Sequence, residues 1–552
     1  MSIIREAASR DAGEPSSSCT LHRLGRGLSV VLVLALAAGL AAPVRGDGLA
    51  AAAALTMGAG AGAAPAADLA GSGPFNADLL AGVARTLARA PYAPPSTTLP
   101  EVLAKLQYDQ YRDIRFNPAE TIWARGDARF RLQLLSLGYL FTTPVELATV
   151  KGGIAQHLAY RPDLFIAGAL VPASLPTQDV GFSGFRLLSP LNDRLRFDEV
   201  AVFQGASYFR AVGRGQDYGL SARGLALKVG DPAGEEFPLF RAFWLEEPVP
   251  GSATMVLHAL LDSPSVTGAY RFELAPGRDT VMRVDAVLFP RVALEQVGLA
   301  PLTSMFMFAA SGRGGVDDFR PQVHDSDGLL VLNGRGEHLW RALANPARLQ
   351  LNAFEDQHPV GFGLLQRDRN PTDYQDFESH FERRPSAWVE PVGDWGAGAV
   401  ILVEIPSDAE IHDNIVAFWR PRAPLAAGSE VHLSYRLSWG GEPIAAQDRL
   451  RVLATAVGRA DVKAPTPVRR FVVDFTPDAG PCRATCPPPK AAVTASTGRV
   501  GDIVVSDNPL TRGYRVTFTL DPEKADLSDL RLELGFEDAR RAEVWLYRWT
   551  RP

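Results

Sequence analysis

Cysteine is nearly absent from this chain: Cys19, Cys482 and Cys486 are the only three in 552 residues. That scarcity excludes a disulfide-stapled scaffold or a cysteine-rich metal domain. Cys482 and Cys486 stand four apart in a Pro-rich stretch and could close a small local disulfide in an oxidising compartment. With no His or further Cys beside them they make a poor zinc site. Lysine is scarce too, six among 56 basic residues, and the formal net charge is −6. This balance argues against binding nucleic acid or an anionic membrane surface. The nine His do not cluster at ligand spacings, and there is no phosphate-binding loop, no HExxH and no GxSxG. A metal or serine-nucleophile enzyme is therefore disfavoured, and no cofactor is implied. Gly213-Arg214-Gly215 opens like a dinucleotide fingerprint, but Tyr218 stands where the third glycine belongs, so the segment reads as a hairpin turn. Long apolar runs are missing as well. The longest, Leu28–Ala42, is about 15 residues against the ~20 that a membrane span needs.

What is present begins with an export signal. Arg23 and Arg26 precede the apolar run, and Val44-Arg45-Gly46 puts small residues at the minus-three and minus-one positions, so residues 1–46 read as a secretory signal. An uncleaved anchor is the rival reading. Residues 47–74 are an Ala/Gly-rich lead-in without pattern, read as disordered. Asn76–Ala90 has helical spacing with Asn76 as N-cap, and Leu99–Leu106 predicts a second short helix.

From there to about Gly440 short strands follow one another, among them Phe130–Leu135, Tyr139–Thr142, Val200–Gln204, Ser207–Val212, Thr280–Leu288 and Gly328–Leu332. Strands at this density with little helix between them predict a mostly β protein, a large antiparallel β-sandwich over 75–440. One stretch, Arg367–Pro391, is charged, aromatic and without periodicity. Its length predicts an ordered lid. Residues 441–552 carry a shorter strand set that fits a small immunoglobulin-like sandwich.

The chemistry centres on residues 403–419. Two apolar runs, Ala399–Ile405 and Ile415–Trp419, predict strands, and the loop between them holds Asp408, Glu410, His412 and Asp413. A carboxyl held on a loop between rigid strands suits general acid catalysis; a solvated acidic hairpin is the bland alternative. Val323-His324-Asp325-Ser326-Asp327-Gly328 is a second acidic turn ahead of a strand. Gly205–Arg210 and Gln216–Gly224 add Tyr208, Tyr218 and Arg223 in Gly-edged segments. Aromatic faces beside Arg and acids are how sugar-binding surfaces are built, although strand aromatics are as often core.

Several blocks carry a resemblance: Gly205-Ala206-Ser207-Tyr208-Phe209-Arg210, Tyr218-Gly219-Leu220-Ser221-Ala222-Arg223-Gly224, Leu260-Leu261-Asp262-Ser263-Pro264, Ala300-Pro301-Leu302-Thr303-Ser304 and Arg384-Pro385-Ser386-Ala387-Trp388-Val389. In order and ungapped, they resemble the periplasmic glucans biosynthesis proteins, types G and D, from about Phe75 to Trp549. No Arg-Arg pair precedes the apolar run of the signal, which favours type G. The resemblance implies a galactose-mutarotase-like sandwich followed by an immunoglobulin-like domain. It also implies a periplasmic location and a role in osmoregulated glucan synthesis. The implied chemistry is inverting hydrolysis of linear β-1,2-glucan, with an inner-membrane glucosyltransferase as functional partner. Carried onto this sequence, Asp413 is the implied general acid, Asp325 the base, acting through a water or hydroxyl relay, and Glu410 an assisting carboxylate. Tyr208, Tyr218, Arg223, His324, Arg384 and Trp388 form the candidate substrate-binding set, with Arg367–Pro391 as the covering loop. A glucan-binding scaffold and a transglycosylase at the same site remain alternatives.

Overall fold

Alternating apolar and polar residues carry most of the chain into strands. The computed structural model describes residues 69–552 apart from 173, 444–448, 464–465, 478–486, 538–539 and 552. The expected signal, the lead-in up to residue 68, and the Cys482–Cys486 pair lie outside the described residues. The end of the lead-in is not patternless: Gly73–Pro74 pairs antiparallel with Ile154–His157.

The first helix, Ala77–Arg89, is capped as expected. The Asn76 side chain accepts the Leu79 N–H at 2.8 Å, satisfying one of the free donors of the first turn. Its Leu80 and Ala84 pack with Phe75, Trp244, Leu260 and Phe289. The second expected helix is shorter than Leu99–Leu106: Glu101–Ala104 forms one turn. A reciprocal capping box between Gln107 and Gln110 then starts a separate turn, Tyr108–Arg112. The expected strand at Tyr139–Thr142 is instead a tight turn. Gly138 and Phe141 exchange backbone hydrogen bonds of 3.0 and 2.9 Å, with Tyr139 at φ 57°.

Among the described residues, a 15-stranded and a 10-stranded sheet lie face to face. Phe185, Phe203 and Phe209 of the smaller sheet interlock edge-to-face with Phe243, Phe272 and Trp439 of the larger, at centroid distances of 5.0–5.8 Å. The larger sheet does not stop at the boundary expected near residue 440. His338–Ala342 pairs in parallel with Val544–Thr550, so three strands of the C-terminal region extend the same sheet. Those three strands, Lys490–Ala495, Leu527–Gly535 and Val544–Thr550, face a four-stranded sheet around Phe471, Phe518, Trp545 and Tyr547. That sheet includes Val452–Arg459, a strand that the Pro/Gly/Ala-rich composition after Gly440 concealed.

The lid is shorter than expected. Ser386–Pro391 is a strand of the large sheet, between Gly361–Leu365 and Val431–Gly440, with its first four residues buried. Residues 367–385 form the loop proper, ordered by a helical turn at Pro371–Tyr374 and a tighter turn at Phe381–Arg383. Tyr374 and Phe381 hold it down by packing with Met305, Phe308 and Val323.

Candidate active site

The strands Tyr208–Ala211, Ser221–Arg223 and Val297–Ser304 lie side by side in the smaller sheet. Phe209, Ala211, Ala222 and Leu302 point into the core, so the period of two sends Tyr208, Arg210, Ser221, Arg223 and Thr303 to the opposite face. There Arg210 Nε donates to Ser221 Oγ at 2.6 Å and Arg223 Nε to Thr303 Oγ1 at 2.8 Å. The Arg223 guanidinium also pairs with Glu235 and lies 4.7 Å from the ring centroid of Tyr208.

Asp413 and Asp325 are brought to this face by one short segment, Ser304–Phe306. The loop bearing Asp413 joins the strands Ala397–Glu404 and Ile415–Pro421, close to the bounds read from the sequence. Asn414, next to Asp413, anchors it. Its side chain accepts from Phe306 N–H (2.8 Å) and donates to the carbonyls of Phe306 (2.9 Å) and Ile405 (3.2 Å). On the other side of the segment, Asp325 N–H donates to the Met305 carbonyl at 2.8 Å, and Ser326 Oγ meets Ser304 Oγ at 2.8 Å. A side-chain amide copying a strand pair thus fixes one carboxyl, and a backbone pair fixes the other.

Both carboxyls are out of water. Neither oxygen of Asp413 has a hydrogen-bond partner among the described residues, and neither has Oδ1 of Asp325. Burial pushes Asp413 up to about 7; Arg210 and Arg223 restrain the rise, and the charge of Asp325 adds to it. Burial likewise raises Asp325, opposed first by Arg384 and then by Arg210, with Arg384 Nε 3.6 Å from Asp325 Oδ1. Arg210 is the cation that both carboxyls share. Glu410 is half-exposed, bonded to Arg320 at 2.9 Å, and its charge reaches Asp325.

The remaining candidates divide. Tyr208 joins the site: its buried hydroxyl has no partner, and the charge of Asp413 acts on it. Arg384 joins through Asp325 and donates to the carbonyls of Tyr218 and Ser379. Tyr218 itself packs into the sandwich core, its hydroxyl raised by burial and by Glu199. His324 is enclosed between Phe306, stacked at 5.4 Å, and the edge of Tyr374, with Nδ1 2.9 Å from Gln366 Oε1. Burial lowers it to about 4, so it is neutral and braces the Asp325 turn. Trp388 faces the other side of the large sheet, packed in the C-terminal cluster with Leu330 and Trp340. Arg210, Arg320 and Asn414 were not singled out from the sequence. Arg210 was legible as the polar residue alternating with Phe209 and Ala211 on a strand. Arg320 has a local partner in Asp318, but its bonds to Asp376 and Glu410 on other loops left no local trace. No group of three or more His, Cys, Asp or Glu side chains suited to a metal occurs among the described residues.

Comparison with known proteins gives a consistent result. The family model described as "Periplasmic glucan biosynthesis protein, MdoG" matches residues 75–549. The chain is 55% identical over 479 residues to "Glucans biosynthesis protein G" of Vibrio cholerae serotype O1, covering 87% of each chain. It is 54% identical over 484 residues to the protein of that name in a Shewanella species, again covering 87% of each. With "Glucans biosynthesis protein G 1" of Shewanella oneidensis the identity is 55% over 481 residues, 87% of this chain and 88% of the relative.

Proposed function

Because the chain belongs to the periplasmic glucan biosynthesis protein family MdoG, we propose that it is an inverting, endo-acting β-1,2-glucanase that trims or remodels the nascent glucan in the periplasm. The observation that carries this reading is a buried carboxyl without partners among the described residues, Asp413, which burial pushes up to about 7 and which shares Arg210 with a second buried carboxyl, Asp325. Two carboxyls whose surroundings differ are what acid–base cleavage of a glycoside requires.

In the proposed reaction Asp413, which keeps its proton in a substantial fraction of molecules at neutral pH because burial pushes it up to about 7, gives that proton to the glycosidic oxygen as the bond to the anomeric carbon breaks. Water attacks the opposite face of the sugar, and its proton passes to Asp325, directly or through an intervening hydroxyl. Arg384 and Arg210 favour the ionised form that a base needs. The ordered loop over residues 367–385 limits competing water. A membrane glucosyltransferase supplies the linear chain.

The test is release of reducing ends from linear β-1,2-glucan, with the anomeric configuration of the first product followed. Asp413→Asn removes turnover and keeps binding; turnover retained in that variant reassigns the acid. Protein that binds the glucan and neither cuts nor transfers it is a scaffold. Transfer to sugar in place of water makes it a transglycosylase.

A further inference from the structure

Two phenyl rings stand almost bare on neighbouring loops, Phe319 at 77% exposure and Phe377 at 78%. Single exposed apolar side chains are ordinary, but these two are held in an unusual way. Phe319 is the apex of a turn pinned from both sides. Arg313 donates to the carbonyls of Asp318 (2.6 Å) and Arg320, and the Arg320 guanidinium returns onto the Asp318 carboxylate at 2.8 Å. Phe377 follows Asp376, whose Oδ1 accepts the N–H groups of Glu378 (3.0 Å) and Ser379 (2.8 Å). One atom then joins the turns. Arg320 Nη1 lies 2.9 Å from Asp376 Oδ2 and 2.9 Å from Glu410 Oε2, on the loop that carries Asp413.

We propose that Phe319 and Phe377 form a sugar-stacking platform beside the candidate active site, taking glucosyl units of the β-1,2-glucan chain that extend beyond the cleavage point. This rests on the glucanase reading above and adds a binding subsite to it. A protein-binding surface has an apolar centre depleted of charge. Here each ring is flanked in the chain by charged groups, Asp318 and Arg320 around one and Asp376 and Glu378 around the other. A pyranose matches that arrangement: its C–H face lies on a phenyl ring and its hydroxyls meet carboxylate and guanidinium. Pinned turns present the rings without an ordering cost on binding. A polymer cut in its interior must leave the catalytic carboxyls in both directions, and Arg320 ties this pair of rings to one side.

The experiment compares the wild-type chain with Phe319→Ala/Phe377→Ala on long linear β-1,2-glucan and on an oligosaccharide just long enough to be cut. Affinity is read by gel retardation in the same glucan. The double variant is expected to lose about tenfold in kcat/KM on the long chain, all of it in KM, and to keep the wild-type rate on the short one. Phe319→Tyr/Phe377→Tyr restores the loss. Unchanged KM and retardation on the long chain overturn the platform and leave the rings to a protein partner. An equal loss on both substrates also overturns it, because it marks a disturbed loop. If the wild-type chain neither binds nor cuts the glucan, the glucanase reading falls first; a wild type that cuts while ignoring the ring substitutions sinks the platform alone.

Discussion

Burial raises the pKa of Asp413 to about 7 by making its ionised form costly, so the same feature that readies it as an acid weighs on stability. An unfolded chain releases this proton near the ordinary value of 3.8, while the folded chain holds it to about 7. Between those values the native state binds more protons, so this group's contribution to stability falls as pH rises through the window and stays low above it. Asp413→Asn is therefore expected to stabilise the protein by on the order of 2 kcal/mol at about pH 8, with the gain vanishing near pH 4. Urea titrations at both pH values check this. The same proton sets the rate profile: as general acid, Asp413 gives an alkaline limb in kcat/KM near pH 7. A profile flat through neutrality removes it from that role. At this scale the sequence showed which loop bears acids, and the resemblance pointed to Asp413 among them. The shift itself was not legible, because Arg210, Arg223 and Asp325 approach Asp413 from elements far away in the chain.

Among the elements, the short segment Ser304–Phe306 decides the geometry of the site. Asn414 is its clasp to the Asp413 loop, and the amide group satisfies both the N–H and the carbonyl of Phe306. Asn414→Ala leaves those buried backbone groups without partners and is expected to cost about 2–3 kcal/mol of stability. A fall in the denaturation midpoint at constant slope reads it. Asn414→Asp keeps the acceptor and loses the donors, so it is expected to be intermediate. Strand positions around this segment were largely legible, because an apolar period of two survives wherever one face is buried. Tyr139–Thr142 was misread because aromatic residues imitate a strand where Tyr139 turns with positive φ. Ser386–Pro391 was absorbed into the lid because the aromatic, charged run before it hid the onset of the strand.

For the molecule as a whole, the regions before and after residue 440 are joined by more than a linker. Arg367, at the root of the lid, forks onto Glu543 of the C-terminal region at 2.6 and 2.8 Å and onto Glu442 at 2.7 and 3.2 Å. Its guanidinium lies 3.6 Å from the ring centroid of Trp340. The backbone N–H groups of Arg367 and Asp368 bond Asp327 Oδ2 at 3.0 and 3.1 Å, two residues from Asp325. Glu543→Ala leaves half of a buried ion cluster unmatched and is expected to cost about 3 kcal/mol. Chemical denaturation measures that loss, and intact Glu442 limits it. Sequence composition suggested a boundary at residue 440; it could not show the sheet that crosses it, since a parallel pairing between distant strands leaves no local trace.

The shared sheet also bears on how the protein can be divided. With Val544–Thr550 removed, His338–Ala342 becomes a bare edge of five buried residues, with unmet backbone donors and acceptors along one side. A fragment ending at residue 440 should recruit a strand from a second fragment and precipitate, so the half that holds Asp325 and Asp413 cannot be harvested alone.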